Sequence, residues 1–533
     1  MNTKNVYLKT NVVPEPLFDS WYASSYLIPP ASAAMFTLER HLKIMNSYIQ
    51  APHVHEAAVK DPKMLGGPFM DYPTRRVEDI KRLKERTLAE QKDLLELAKA
   101  IQDFNTILLE EADGHGIEEI YRLVPDILKG YVEIYYDLNN QPGFRFFESL
   151  LYRSKYYKES SQSIAFYLIN SDDRPFVLST PRLELDNMLH KKIPFRHPGI
   201  DELFKMQRKA APYQRVRDML EIQPDEEPIF KTFFTEQPPP LYPAYGGDGV
   251  RMRYFGHACI LLETKNVSIL SDPVISYGYD NRTSRYTYTD LPDFIDYVII
   301  THNHQDHILL ETILQLRHKI GTVIIPGCGP GTLQDQNLKF CLRQIGVNNI
   351  VEIEEMEKLD FGTCTISGLP FIGEHCDLQI RTKMCYHVCL NDFSAIFLAD
   401  SNNIEPRVYD YVYKDTGDID VMFLGMECDG APLTWLYGPL LPEAPSREMD
   451  NSRRLAGSNY MKGIHLVDRF NPKEVYVYAM GQEPWLTYIM SLKYTEESNP
   501  IIQSNKLLEE CRSRGLTAER LYGEKELVYD AAF

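Results

Sequence analysis

The sequence predicts an α/β protein of two domains. A mixed α+β N-terminal domain spans residues 1–240, and a C-terminal αββα sandwich spans 241–533, with helices outside two packed sheets. Three observations carry this. The 533 residues exceed what one hydrophobic core usually spans. The stretch EQPPPLYPAYGGDG (236–249) reads as a linker, stiffened by proline and ended by glycine. Beyond it, helical periodicity gives way to short β-branched runs, first strand–turn–strand and then strand–helix alternation.

Residues 77–111, VEDIKRLKERTLAEQKDLLELAKAIQDFNTILLEE, place Ile80, Leu83, Leu94, Leu97, Ala98 and Ile101 at helical spacings. They predict one long amphipathic helix. The aromatic-rich segment 143–170 predicts a mixture of helix and strand. Residues 199–220 predict a helix interrupted near Pro212. In the second half, MRYFGHACILLET (252–264), NVSILSDP (266–273), DYVIITHNH (296–304), GTVIIP (321–326), CTISGLPF (364–371), SAIFLAD (394–400), DVMFLG (420–425) and EVYVYAMG (474–481) read as strands. HILLETILQLRHKI (307–320) reads as an intervening helix. No internal repeat is present.

Hydrophobic residues make up 44% and charged residues 25%, an ordinary globular balance. No run approaches the ~18 apolar residues of a membrane helix, and the N-terminus lacks signal-peptide character. The expectation is a cytoplasmic protein with no membrane partner. A net charge of -18 disfavours nucleic acid as a partner. The nine cysteines are odd in number and form no CxxC pair, so they read as reduced thiols.

The chemistry concentrates in THNHQDH (301–307). His302, His304, Asp306 and His307 fall within six positions, after a strand and before a helix. Strand alternation would put His302 and His304 on one side, aimed at one metal. Asp306 and His307, from the turn, would reach a second. Imidazole suits several transition metals, and a carboxylate adds an oxygen donor.

HxHxDH after a strand resembles the signature of the metallo-β-lactamase fold. GHACILLE (256–263) and ILSDP (269–273) resemble its opening strands, with Asp272 as its structural acid. Asp400, ending SAIFLAD, matches its metal-bridging aspartate. Two departures stand out. The third motif, GLPFIGEHCDL (368–378), offers Glu374 beside His375 where a histidine is usual. The last motif has Met480 where a final histidine is usual. With Glu374 as ligand, one metal sees His302, His304 and Glu374, a set suited to non-heme iron and dioxygen. The other sees Asp306, His307 and the shared Asp400. Zinc has no redox change to offer. A dinuclear zinc hydrolase acting on a thioester, lactone or phosphodiester is the alternative that HxHxDH alone would serve equally.

The whole chain resembles the diiron β-hydroxylases of nonribosomal peptide biosynthesis, in THNHQDHILLETILQLRHK (301–319), PFIGEH (370–375), FLADSNN (397–403) and YAMGQEPW (478–485). The resemblance implies two iron ions held by His302, His304, Asp306, His307, Glu374 and Asp400. It implies oxygen-dependent hydroxylation, with external electrons, at the β-carbon of an amino acid. That amino acid is a thioester on the phosphopantetheine arm of a carrier domain. It implies an N-terminal domain that dimerises and receives the carrier. Glu374 is the candidate catalytic residue, because a carboxylate can switch between one and two coordinating oxygens and so open or close an iron.

Other features read blandly. His53 and His55 read as surface or local structural histidines. His257 orients or packs beside the opening strands. GCGPGT (327–332) lacks the lysine of a phosphate loop and reads as a turn. MECDGAPLTWLYGPL (426–440) brings Glu427, Asp429, Trp435 and Tyr437 to the pocket mouth or nearby packing. The basic clusters at 75–86 and 205–217 read as solvated helix faces, or as docking sites for an acidic carrier.

Overall fold

The computed structural model describes residues 4–530. The β-branched runs of the second half fold into two seven-stranded sheets. The first orders Ile350–Ile353, Ile320–Pro326, Ile295–Ile299, Ser268–Ser271, Ile260–Glu263, Val250–Tyr254 and Lys525–Tyr529. The second orders Lys358–Asp360, Thr365–Leu369, Cys385–Leu390, Phe393–Phe397, Val421–Gly425, Glu474–Tyr478 and Thr517–Arg520. In both, antiparallel hairpins give way to parallel pairs. Parallel neighbours need a crossover, which the helices between these runs supply.

The sheets face each other through an apolar layer. Met252, Leu262 and Ile299 from one meet Val388, Phe397 and Phe423 from the other. Removing each such side chain from water stabilises the fold by about 1.5–3 kcal/mol. Helices Arg407–Thr416, Tyr460–Phe470 and Asn499–Ser513 cover the outer face of the second sheet. The first sheet is covered by Leu310–Leu316, by Leu338–Gln344 and by the N-terminal half itself. Val13, Ile101 and Phe166 belong to the same apolar cluster as Leu270, Val298 and Ile313. The N-terminal half contains a four-stranded sheet built on Val12–Phe18 and Gln162–Leu168, a small three-stranded sheet, a hairpin and helices. Residues 236–249 form no helix or strand, yet the core runs uninterrupted past them.

Three expectations need correction. The 77–111 helix is two helices, Val77–Glu90 and Lys92–Glu111. Gln91 is buried at the break, and its amide donates to Ser161 Oγ at 2.8 Å, a tertiary bond that periodicity cannot reveal. The expected apolar positions are all buried. The run 252–264 is two antiparallel strands, because Gly256 and His257 adopt φ of 106° and 51° and reverse the chain. The strand before the histidines ends at Ile299, so strand alternation does not aim them. The 199–220 segment does break as expected, where Ala211–Pro212 pairs with Asn5–Leu8. Among the described residues, no helix is long and apolar enough to cross a membrane.

Candidate metal centre

The THNHQDH loop leaves the first sheet and is tied to the second. Thr301 O accepts from Met384 N at 2.7 Å, and Ile300 O accepts from the Tyr386 hydroxyl at 2.8 Å. Asp272 organises the loop from beneath. Its Oδ1 accepts from Thr301 N at 2.7 Å, and its Oδ2 accepts from Thr301 Oγ1 at 2.6 Å. His307 Nδ1 donates to the same Oδ2 at 2.8 Å. This bond fixes the tautomer and leaves Nε2 free to bind a metal.

The six expected ligands come together. His302, His304 and Glu374 form one set whose donor atoms lie within 4.8 Å of one another; His302, His307 and Asp400 form a second. Asp400 Oδ2 is 3.0 Å from His307 Nε2 and 3.7 Å from His302 Nε2. Asp306 Oδ2 is 3.7 Å from His307 Nε2. His304 Nδ1 is 3.3 Å from Glu374 Oε1. His375 belongs to neither set; its ring stacks on His304 at 4.4 Å.

Asp306, His307 and His257 make a third close set. His257 Nδ1 accepts from Gly481 N at 3.2 Å, so its proton is on Nε2, which donates to Asp306 Oδ2 at 3.1 Å. That tautomer orients Asp306 and leaves no lone pair on Nε2 for a metal. Met480 does not face the cavity. It packs with Leu424 and Val477, while Ala479 lines the site instead.

The electrostatics call for cations. Burial drives the His302 imidazole well below its usual range, and its neighbours His307, His304 and His375 add to this. Burial lowers His304 to about 4, against the pull of Glu374. Burial raises Glu374 to about 7; His304 opposes this and Asp400 reinforces it. Burial also opposes charge on His307, yet Asp400, Asp306 and Asp272 raise it well above the ordinary value. His302 Nε2, Glu374 Oε2 and Asp400 Oδ1 are buried without any hydrogen-bond partner. Orphaned donor atoms converging in this way are expensive unless a metal completes them. The residues therefore fit a dinuclear metal site with mixed imidazole and carboxylate ligands.

The backbone around the site is unusual. Gly373, Glu374, His375, Cys376 and Asp377 all have positive φ, as do His257, Asp272, Ala399 and Ala479. Glu374, at φ 52° and ψ -155°, lies near a region that belongs almost wholly to glycine.

Sequence reasoning missed several supports. Tyr437 is fully buried and its hydroxyl lies 3.0 Å from His304 Nε2, holding the ring's far side. The site opens into a cavity of about 430 Å³, lined also by Glu427, Trp435, Ile489 and Tyr494. Burial and the nearby Asp400 raise Glu427 to about 8. A second cavity, about 540 Å³, shares Gly66, Pro432 and Trp435 with the first and is lined by Arg40 and Lys43. Thr301 was signalled only by its place before the motif; Glu427, Trp435 and Tyr437 were expected at the pocket mouth or in nearby packing, but not the contact of Tyr437 with His304, and nothing local signalled Tyr494. His55 bonds Ser47 and Met70 N, a structural role, as expected.

Comparison with known proteins places this geometry. Residues 7–238 match the diiron non-heme β-hydroxylase N-terminal domain, and residues 251–428 match a β-lactamase superfamily domain. A Streptomyces venezuelae enzyme, 4-amino-L-phenylalanyl-[CmlP-peptidyl-carrier-protein] 3-hydroxylase, is 36% identical over 98% of this chain and 99% of its own. The chain belongs to the diiron β-hydroxylase family. The crystal structure of CmlA, a diiron β-hydroxylase from Streptomyces venezuelae, superposes with a TM-score of 0.92 at 36% identity, covering 99% of this chain and 100% of that one. A CmlA β-hydroxylase mutant gives 0.91 at 35% identity, over 98% and 100%. As a member of this family, the chain is an enzyme with a C-terminal metallo-β-lactamase fold. Its ligand sets fit the family's diiron centre.

Proposed function

We propose that this enzyme hydroxylates the β-carbon of an amino acid held as a thioester on the phosphopantetheine arm of a nonribosomal peptide synthetase carrier domain. The observation that carries the reading is a carboxylate, Glu374, in the third-motif position within donor reach of His302 and His304, in a chain that matches a carrier-dependent hydroxylase along its whole length. His302, His304 and Glu374 would hold one iron; Asp306 and His307 would hold the other, with Asp400 between them. Bound iron would supply the redox chemistry by which dioxygen, two external electrons and two protons convert a C–H bond to C–OH and water.

The protein's own residues do the rest. Asp272 and Thr301 hold His307 and the loop, His257 orients Asp306, and Tyr437 holds His304. Glu374 is the ligand that can free or occupy a metal position by changing its number of coordinating oxygens. A phosphate-bearing arm would enter from the N-terminal half by the second cavity, whose wall carries Arg40 and the ion pair of Lys43 with Glu39. Residues 1–240 would dock the carrier and form a homodimer. Leu109, Leu138 and Leu150 are exposed there and available for such a contact. The test is direct. Protein grown with iron and zinc both available should carry about two irons per chain. With reductant and oxygen it should add one oxygen atom to a carrier-bound aminoacyl group. Iron-loaded protein that oxidises no carrier-bound amino acid, or that turns over without oxygen and reductant, would overturn the reading and favour a zinc hydrolase.

A further inference from the structure

Besides the candidate metal ligands and Asp429, the cavity over the metal site is lined by one more carboxylate, the half-buried Glu427. Glu427 follows the strand Val421–Gly425, as Asp400 follows Phe393–Phe397, its parallel neighbour. Both backbones pass close to Gly457: a methyl group added there would be 3.3 Å from the Asp400 carbonyl oxygen and 3.6 Å from that of Glu427, and both side chains line the same cavity. Glu427 Oε1 accepts from the Tyr494 hydroxyl at 3.1 Å. Among the described residues, its Oε2 accepts no hydrogen bond and no cation pairs with it. Neither Arg454 nor Lys493, the arginine and lysine of the cavity wall, pairs with it. Arg454 donates to the carbonyls of Asp429 and Gly430, and Lys493 is exposed at the rim. Asp429 is itself exposed and partnered by Asn499. Leu65, Trp435, Leu436, Ile489 and Met490 supply apolar surface, and Gln305, Ser491, Ser498 and Asn499 add polar lining.

We infer that Glu427, held by Tyr494, is the counter-ion for the α-ammonium group of the tethered amino acid. This rests on the aminoacyl-carrier reading above and names a specificity residue within it. An aminoacyl thioester has lost its carboxylate and keeps its ammonium, so the one polar handle beside the β-carbon is a cation. Anchoring it on Glu427, adjacent to Asp400, presents the neighbouring β-carbon to the metal site and leaves the side chain to the wall. Glu427 is thus a positioning and specificity residue.

The experiment uses full-length iron-loaded protein. Its dissociation constant is measured for three carriers: one with a bare pantetheine arm, one with an aromatic aminoacyl thioester, and one with the same aminoacyl group N-formylated. Wild type should bind the free-amine form roughly tenfold to hundredfold more tightly than the formylated one. Glu427→Gln should abolish that preference while keeping wild-type iron content, and Tyr494→Phe should weaken it. Equal binding of both forms by wild type, or an undiminished preference in Glu427→Gln, overturns the inference. A wild type that hydroxylates neither form and prefers neither to the bare arm rejects the hydroxylase reading itself.

Discussion

Glu374 and His375 sit side by side in the chain but hold different places in the site. Glu374 reaches His304, whereas His375 stacks outside both ligand sets. Glu374→Ala should therefore bind about one metal less per chain, measured by metal analysis, while His375→Ala should retain both. Tyr437→Phe keeps the ring but frees His304 Nε2; it should weaken metal binding by roughly 10- to 100-fold, the usual effect of losing an outer partner, read by chelator competition. The six candidate ligands were legible because each lies in a short local motif, and Asp272 and His257 were legible beside them. The contact made by Tyr437 was not. Tyr437 reaches His304 from 133 positions away, and no spacing rule links two residues so far apart.

The helix Leu310–Leu316 follows the metal loop and anchors it to the N-terminal half. Its Glu311 accepts from the hydroxyls of Tyr22 at 2.9 Å and Tyr277 at 2.6 Å, and from Arg174 Nη2 at 2.7 Å. Arg174 and Arg182 also bind Glu15, and all four charged side chains are at most 5% exposed. Arg174→Met would strand the buried Glu311 carboxylate and leave Glu15 to Arg182 alone, so it should destabilise the fold by about 3–5 kcal/mol, measured by denaturant unfolding. The network also makes stability pH-dependent. Burial opposes ionisation of Glu15, but Arg182 and Arg174 prevail and hold it well below its ordinary 4.5. A depressed carboxyl contributes its stability above the unfolded value and loses it as pH falls. Midpoints of unfolding should therefore drop as pH is lowered from about 4.5, more steeply in wild type than in Glu15→Gln. The strands were legible because β-branched runs and turns are local signals. The break at Gln91 and the early end of the Ile295–Ile299 strand were not, since tertiary bonds decide them.

At the scale of the molecule, the two halves share one apolar cluster, so calorimetry should show a single unfolding transition. Metal should add to it. A ligand that binds only the folded state stabilises by mass action, and chelation should lower the melting temperature. The cost of holding the site ready falls on the backbone at Glu374, where φ 52° and ψ -155° suit glycine. Glu374→Gly, with metal removed, should melt at a higher temperature than metal-free wild type, since a strained conformation of this kind costs about 1–3 kcal/mol and the variant also sheds a buried oxygen, Oε2, that has no hydrogen-bond partner. A glutamate at this position is therefore carried at the expense of the metal-free protein's stability.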